Sequence, residues 1–594
     1  MKNTSDYLMA ISIGPVQDFI ASARRLRDLW FGSYLLSELA KKGALSLYRQ
    51  RAELIFPNLS NAEIELTVGS EMKVPNKLLA KLTSDNPRNV FETVKSDILT
   101  FWKDELAMNT LGKKDLDRVN IDLFKEQIDD FLEIYGAWVL INGDYMAARE
   151  RVERILSARK TIRIFDQSSP VEAEKGGLPK SSLDGVRESV LSDKQRMGAK
   201  GKRGIKEGEE LDAVGWVKRY GLQLGGDEKL PVFESLSDLA ADPFLRGAWN
   251  KPDAVLAMQT VAEAIRHSGI KIDRVADREH RKPLSNLSPR ILYPFSLKKE
   301  LEENDLDSDT IDDIVKKVRI IHTGSGIKQG PLPYTAILLG DGDSMGKTIN
   351  NLEDIESHRR LSRELDRFAQ SCRTIVEKHY GSLIYSGGDD VLAFVPLDQA
   401  IECSDALQQQ FSSCMHQILK DNPLPPTLSI GVAIVHHLRP MNLSLNLARH
   451  AEKLAKSVKG KNALAVILDK RSGAPLSTAD SWSSGIAQRL GQWALFHQQD
   501  LIPDKFGYQL RHLAHEFGED GSLAWTVDGL PNNALAYEFV RILKRKRSGQ
   551  GQHALKSEQL ESILRTARYT GNLKQLADEL VLSRIIADAK NQAK

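Results

Sequence analysis

The chain has only three cysteines in 594 residues, Cys372, Cys403 and Cys414, and no Cys-x-x-Cys pair. A thiolate zinc cage needs four clustered ligands, so structural zinc is not expected; the thiols are read as small core hydrophobes suited to a reducing compartment. Long apolar runs are missing as well: nothing approaches the ~18 residues of a membrane span. The short apolar stretch from Leu8 to Ile13 gives way to Gln17 and Asp18, too soon for an export signal. A cytoplasmic protein with no membrane partner is expected. Charge of one sign is also lacking, because 82 basic residues face 80 acidic ones for a net +2. Any contact with nucleic acid must therefore rest on local patches. What remains is ordinary globular composition, 41% hydrophobic and 27% charged, long enough for roughly three to five domains.

Gly387-Gly388-Asp389-Asp390 lies between two short apolar runs, Ser382-Leu-Ile-Tyr-Ser386 and Val391-Leu-Ala-Phe-Val395. Glycines permit the positive φ of a two-residue hairpin and let a phosphate come close, and adjacent acids are hard oxygen ligands of the kind Mg²⁺ prefers. An acidic surface turn has the same composition. A second element tilts the choice. Tyr334-Thr-Ala-Ile-Leu-Leu-Gly340 reads as a buried strand and runs into Asp341-Gly342-Asp343-Ser344-Met345-Gly346-Lys347. Between the two acid clusters Leu361, Leu365, Phe368, Cys372, Ile375, Val376 and His379 recur at helical spacing. Strand, helix and hairpin would return the chain to one sheet and set Asp341 beside Asp389 and Asp390.

The series continues with a helix over 398–420, a strand over 427–434, a helix over 443–458 and a strand over 462–468, a β-α-β-β-α-β order. The predicted fold class is α+β (α/β), with ferredoxin-like palms. Asp341, Asp389 and Asp390, with the Gly342 carbonyl, are the candidate ligands of two divalent cations, Mg²⁺ or Mn²⁺, about 3.5–4 Å apart, the arrangement that clamps an in-line phosphoryl displacement. Gly387 and Gly388 would admit a nucleotide without clash. Ser344 is placed either to cap the next helix or to meet phosphate, and Lys347 opens that helix.

These motifs, together with Tyr385-Ser-Gly-Gly-Asp-Asp390, Ser429-Ile-Gly-Val-Ala433 and Ala455-Lys456-Ser-Val-Lys-Gly-Lys461-Asn462, resemble a nucleotide-cyclase domain of the GGDEF superfamily. The Asp-Asp version in a chain of this size is similar to the large, polymerase-like subunit of type III CRISPR effector complexes. The opening Ile11-Ser-Ile-Gly-Pro-Val-Gln-Asp-Phe-Ile20 and Arg24-Arg-Leu-Arg-Asp-Leu-Trp-Phe-Gly-Ser-Tyr34 resembles its type III-B form, as do Leu156-Ser-Ala-Arg-Lys160 and Leu211-Asp-Ala-Val-Gly215.

The resemblance implies ATP as substrate, oligoadenylate messengers as product, and Lys456 or Lys461 as the triphosphate lysine, with Lys456 favoured and Ser386 among the nucleotide-binding set. It also implies guide RNA, target RNA and the other type III-B subunits as partners. Many relatives carry a four-cysteine zinc element, which this chain cannot build, and a histidine-aspartate nuclease. None of the thirteen histidines here precedes an aspartate, so DNA nuclease activity is not expected. A diguanylate cyclase using GTP, adenylate transfer to another small acceptor, and a noncatalytic scaffold remain the alternatives.

The expected organisation is a degenerate first palm over 1–215, a helical inter-palm domain over 216–330, a catalytic second palm over 331–475 and a C-terminal helical domain over 476–594. In the first palm a helix is expected over 129–160, with Phe131, Ile134, Tyr135, Trp138 and Val139 on one side. Placing Ala10–Phe19 under Ala336–Met345 as a weak internal repeat puts Pro15 on Asp341 and Gln17 on Asp343. The first palm would then be unable to hold the ions and would serve as a wall of the site. Basic stretches at 194–206 and 544–547 are read as solvated segments with a possible phosphate contact, and Trp482, Trp493 and Trp525 as structural.

Overall fold

The computed structural model describes residues 5–594 other than 113–116, 163–178, 193–204, 206–207, 222–233, 271, 273–274, 276, 305, 419–424, 471–472, 517–525, 528–529, 532, 550–553 and 571. Most of the basic stretch 194–206, and Trp525, lie outside the described residues.

Two antiparallel-rich sheets organise the molecule. The first contains β1 (Ser5–Gly14), β2 (Glu53–Phe56), β3 (Lys77–Ser84) and β4 (Glu133–Leu140) in the order β2-β3-β1-β4. Its helices are α1 (Leu26–Arg49), α2 (Pro87–Thr100) and α3 (Tyr145–Thr161). The residues expected to form a helix over 129–160 instead form the end of a helix Ile121–Phe131, the strand β4, and α3. The aromatic and β-branched residues of Glu133–Leu140 favour the pleated surface offered by β1, with Ile11 opposite Gly136. Gly136 is required there: a Cβ would lie 2.4 Å from the Phe91 ring.

A mostly helical segment follows, including α4 (Leu236–Trp249), α5 (Pro252–His267) and α6 (Ser308–Gly324). It has its own apolar core around Phe244, Met258, Val261, Ile291 and Val318. A buried ionic network ties it to the second sheet: Arg281 pairs with Glu234 and Asp242, and Arg246 bridges Asp242 and Asp398 at 2.8 and 2.7 Å.

The second sheet contains β5 (Tyr334–Asp343), β6 (Ser382–Gly387), β7 (Asp390–Pro396), β8 (Thr427–His436), β9 (Ala463–Leu468) and β10 (Leu476–Ser481), ordered β10-β9-β8-β5-β7-β6. Helices α7 (Ile355–Lys378), α8 (Ala400–Ile418) and α9 (Met441–Ser457) connect them. The expected β-α-β-β-α-β series is present. Alternation along β5 sends Ala336 and Leu338 into the core under α7 and α8, and Ile337 toward α9 and the first palm. β10 was not expected; residues 476–481 pair antiparallel with β9 and extend the sheet past residue 475, before helices α10 (Ile486–Gln498) and α11 (Leu573–Gln592). Arg489 of α10 joins β10 to α11 through Asp480 and Glu579 at 2.9 and 2.8 Å. Trp493 is fully buried and the Trp482 indole donates to the Leu428 carbonyl. Cys372, Cys403 and Cys414 are buried on α7 and α8. Among the described residues no helix is long and apolar enough to cross a membrane.

The first four strands of each sheet share one plan, β2-β3-β1-β4 matching β6-β7-β5-β8. The internal repeat is real in topology, but its register differs from the sequence alignment. β1 and β5 are each 10 residues and α1 and α7 each 24. Matching these elements end to end places Ser12, not Pro15, opposite Asp341, and Gly14, not Gln17, opposite Asp343. Two apolar strands carry little register information, and a shift of three residues exchanges the faces of the sheet. The first palm still lacks both carboxylates. Its β2–β3 connection is residues 57–76, where the second palm has the tight Gly388-Asp389 turn. The two palms pack reciprocally: α1 lies on β6 and α7 lies on β2. Arg359 of α7 reaches the Leu54 carbonyl at 3.2 Å and the Ser362 hydroxyl accepts the Asn58 N–H at 3.0 Å.

Candidate functional site

Asp341 stands near the end of β5, and β6 and β7 bring the hairpin tip alongside, with Gly387 opposite Asp390. Gly388 takes φ +68°, the left-handed conformation that glycine supplies at low cost. Carboxylate oxygens of Asp341, Asp389 and Asp390 lie within 4.8 Å of one another, and among the described residues no other acid, histidine or cysteine cluster has this geometry. Gly342 makes the approach possible. A Cβ there would sit 2.7 Å from the Asp389 Cβ and Oδ2 and from the Met345 Cγ. No atom lies within 4 Å of the Cβ positions of Gly387 or Gly388, so space is open above the tip.

The electrostatics suit a cation. Burial pushes Asp389 up to about 6, and burial plus the charges of Asp389 and Glu452 pushes Asp390 up to about 7. The Tyr385 hydroxyl donates to Asp390 and partly offsets that rise. Lys456 of α9 touches the Asp341 carboxylate and lies 3.1 Å from Glu452. Burial and the neighbouring Lys461 charge nevertheless lower the Lys456 ammonium to about 8, so these contacts do not fully offset its desolvation. Three carboxylates of a hard-oxygen donor set, two of them held up by burial, fit divalent cations.

The second carboxylate of the Asp341-Gly-Asp343 pair has a different role. Asp343 is 3% exposed, and its Oδ2 accepts from Thr427 Oγ1, Ser429 Oγ and the Asn462 N–H at 2.8, 2.8 and 2.9 Å. It clamps the corner after α9 to the sheet. Lys461 and Asn462 at that corner both take positive φ.

Residues 334–465 match the family described as Cas10/Cmr2, second palm domain, and residues 8–107 match that described as CRISPR-associated protein Cmr2, N-terminal. The chain thus carries a segment similar to the Cas10/Cmr2 second palm and one similar to the Cmr2 N-terminal domain. The CRISPR system Cmr subunit Cmr2 of Pyrococcus furiosus is 24% identical, over 98% of this chain and 74% of that protein. Among solved structures, the type III-B Cmr-beta bound to cognate target RNA is similar with a TM-score of 0.65 at 13% identity, covering 99% of this chain and 83% of that one. Its apo state gives 0.63, also at 13% identity, with 98% and 82% covered. These likenesses establish the two-palm fold.

Within this second palm, Asp341, Gly342, Gly387, Gly388, Asp389, Asp390 and Lys456 converge, with Lys461 beside Lys456. Three other candidates are placed differently. Ser386 is buried and its hydroxyl donates to the Ala369 carbonyl of α7 at 2.7 Å, so it fastens β6 to the helix and does not face the tip. Ser344 occupies the N-cap of the short helix Met345–Asn350 with φ +59°, outside the extended conformation usual for a capping residue, and makes no capping hydrogen bond; it is exposed. Lys347 is exposed and has no ion-pair partner among the described residues.

Glu452 and Tyr385 were missed from sequence. Glu452 lies four residues before Lys456, a helical spacing that pairs side chains, and Tyr385 lies two before Gly387 on the strand. Outside the site, His512 is solvated on Phe506–Glu516 beside Glu516. Lys544 and Arg545 are exposed on the helix Asn533–Gly549, with Arg545 donating to Gln509.

Proposed function

We propose that the second palm converts ATP to 3′,5′-linked oligoadenylates, cyclic in the finished product, within an RNA-guided type III-B effector complex that is switched on by target RNA. The reading rests on the meeting of Asp341 with Asp389 and Asp390 at a sheet edge that is open above Gly387 and Gly388. The complexes in which the related proteins occur support the choice of guide RNA, target RNA and the other effector subunits as partners.

In each turnover an acceptor 3′-oxygen bonds to the α-phosphorus of ATP and the bond to the β-phosphate oxygen breaks. Pyrophosphate leaves and the hydroxyl proton passes to solvent. Two Mg²⁺ or Mn²⁺ ions at the acid cluster would acidify the acceptor hydroxyl and neutralise the leaving group. Asp341, Asp389 and Asp390 are the residues that would hold them, with the Gly342 carbonyl. Lys456 lies where it can exchange the Asp341 carboxylate for triphosphate oxygens, and the two tip glycines leave room for the nucleotide. The first palm, with Ser12 in place of Asp341, is a wall of the site without metal ligands of its own.

The purified complex incubated with labelled ATP or GTP, Mg²⁺ or Mn²⁺, and complementary RNA is expected to give oligoadenylates by mass, only with ATP, and none after Asp389→Ala with Asp390→Ala. Product from GTP alone, adenylate joined to another acceptor, or synthesis surviving the double substitution would overturn this reading.

A further inference from the structure

We propose that Glu452 is the positioning residue of Lys456, a carboxylate outside the metal cluster that holds the ammonium at the acid edge and leaves Asp341 available to cations when nucleotide arrives. This rests on the nucleotide-binding reading of the site above. Lys456 has two carboxylate partners, Asp341 and Glu452, and only Asp341 belongs to the acid cluster. With Asp341 as sole partner, the lysine would compete with every cation that approaches. Glu452 gives it a second seat one helical turn back.

The seat is fixed by backbone. At Gly431 on β8, a Cβ would lie 2.1 Å from the Glu452 nitrogen and 2.4 Å from the Ala451 carbonyl carbon. The helix therefore lies directly against β8 at the residue carrying this carboxylate. Gly431 pairs with Leu339 of β5, two residues before Asp341, so strand and helix are indexed to each other. Beyond Lys456, the Asp343 carboxylate holds the Asn462 N–H and anchors the corner after α9 to the same strand. Held at Glu452 and again just past its C-terminus, this part of α9 keeps Lys456 in place, and Glu452, 14% exposed at its side chain, sets where the ammonium rests.

Glu452→Gln, Lys456→Ala and the double variant in the purified complex test this with two readouts. One is the KM for ATP and kcat; the other is the affinity for a non-hydrolysable ATP analogue with and without Mn²⁺. Glu452→Gln is expected to raise KM and the analogue Kd by about 5–10-fold, the scale of one charge-assisted contact, with kcat changed less than about twofold. In the Lys456→Ala background the same substitution is expected to add nothing beyond about twofold, because the two residues act as a unit. An undiminished effect in that background, no effect in the wild-type background, or a fall in kcat with a changed metal requirement overturns the proposal, the last making Glu452 a ligand. Glu452→Asp, which keeps the charge, is expected to restore part of the loss and serves the same cycle should the glutamine variant unfold. Should the wild-type complex make no oligoadenylate, the catalytic reading fails while the analogue-binding cycle still decides the role of Glu452.

Discussion

Replacing Gly342 by alanine isolates the close packing on which the acid cluster depends. The new methyl would lie 2.7 Å from two atoms of Asp389 and from the Met345 side chain. Ordinary carbon contacts are about 3.5–4.0 Å, so the hairpin tip must retreat by roughly 1 Å. Overpacking of this kind costs about 1–3 kcal/mol of stability. The larger effect is expected on chemistry, because a displacement of that size in a reacting constellation costs about 100-fold in rate, or about 2.7 kcal/mol of barrier. Gly340, two residues earlier on the same strand, is the control: a Cβ there meets its nearest neighbour, Ile430 Cγ1, at 3.4 Å, near normal contact. Initial rates of oligoadenylate synthesis, a Mn²⁺ titration and thermal melting of both variants separate the effects. Gly342→Ala should weaken Mn²⁺ and activity together, while Gly340→Ala stays within about threefold of wild type. Equal activity in the two variants would refute the claim that Gly342 exists to admit Asp389.

Asp389 at about 6 and Asp390 at about 7 lie above their unfolded values, so the ion-free protein should lose stability as pH rises from about 4 to about 7, and Mn²⁺ affinity should rise over pH 6–8 as it displaces those protons. Melting curves with EDTA and with Mn²⁺ check both, and Asp390→Asn should flatten the ion-free slope. His497 runs the other way. Burial lowers it to about 4, with Nε2 on the Leu580 carbonyl and Nδ1 without a partner, so stability should fall as pH drops from 6.5 toward 4, a slope that His497→Gln should reduce. Gly431→Ala should displace α9, whose backbone lies 2.1 Å from the added methyl, and raise the KM for ATP more than it lowers kcat.

The acid edge was legible because its motif is local. Two glycines and two acids in a tight turn between apolar strands leave few alternatives, and the helical spacing from Leu361 to His379 places α7 in the structure. The same local reasoning misjudged Glu133–Leu140, where Ile134, Tyr135, Trp138 and Val139 satisfy a helical period as well as a strand and only pairing with β1 decides. It also left Asp343 without a role. Three donors from Thr427, Ser429 and Asn462 claim Asp343, and no spacing in the sequence announces them. The repeat register failed for a related reason: strand composition repeats where strand position does not, and the equal lengths of α1 and α7 become visible only with both ends in view.

The reciprocal seating of α1 on β6 and α7 on β2 gives each half of the molecule a hold on the other's hairpin. A half that has shed its own acids is still needed as a brace, because without it the strand leading to Gly387 loses its cover. Such mutual bracing explains how one copy of a doubled design can fall chemically silent and yet stay architecturally indispensable. It also means that a displacement of α1 is felt first by β6, the strand that leads to the acid-bearing tip.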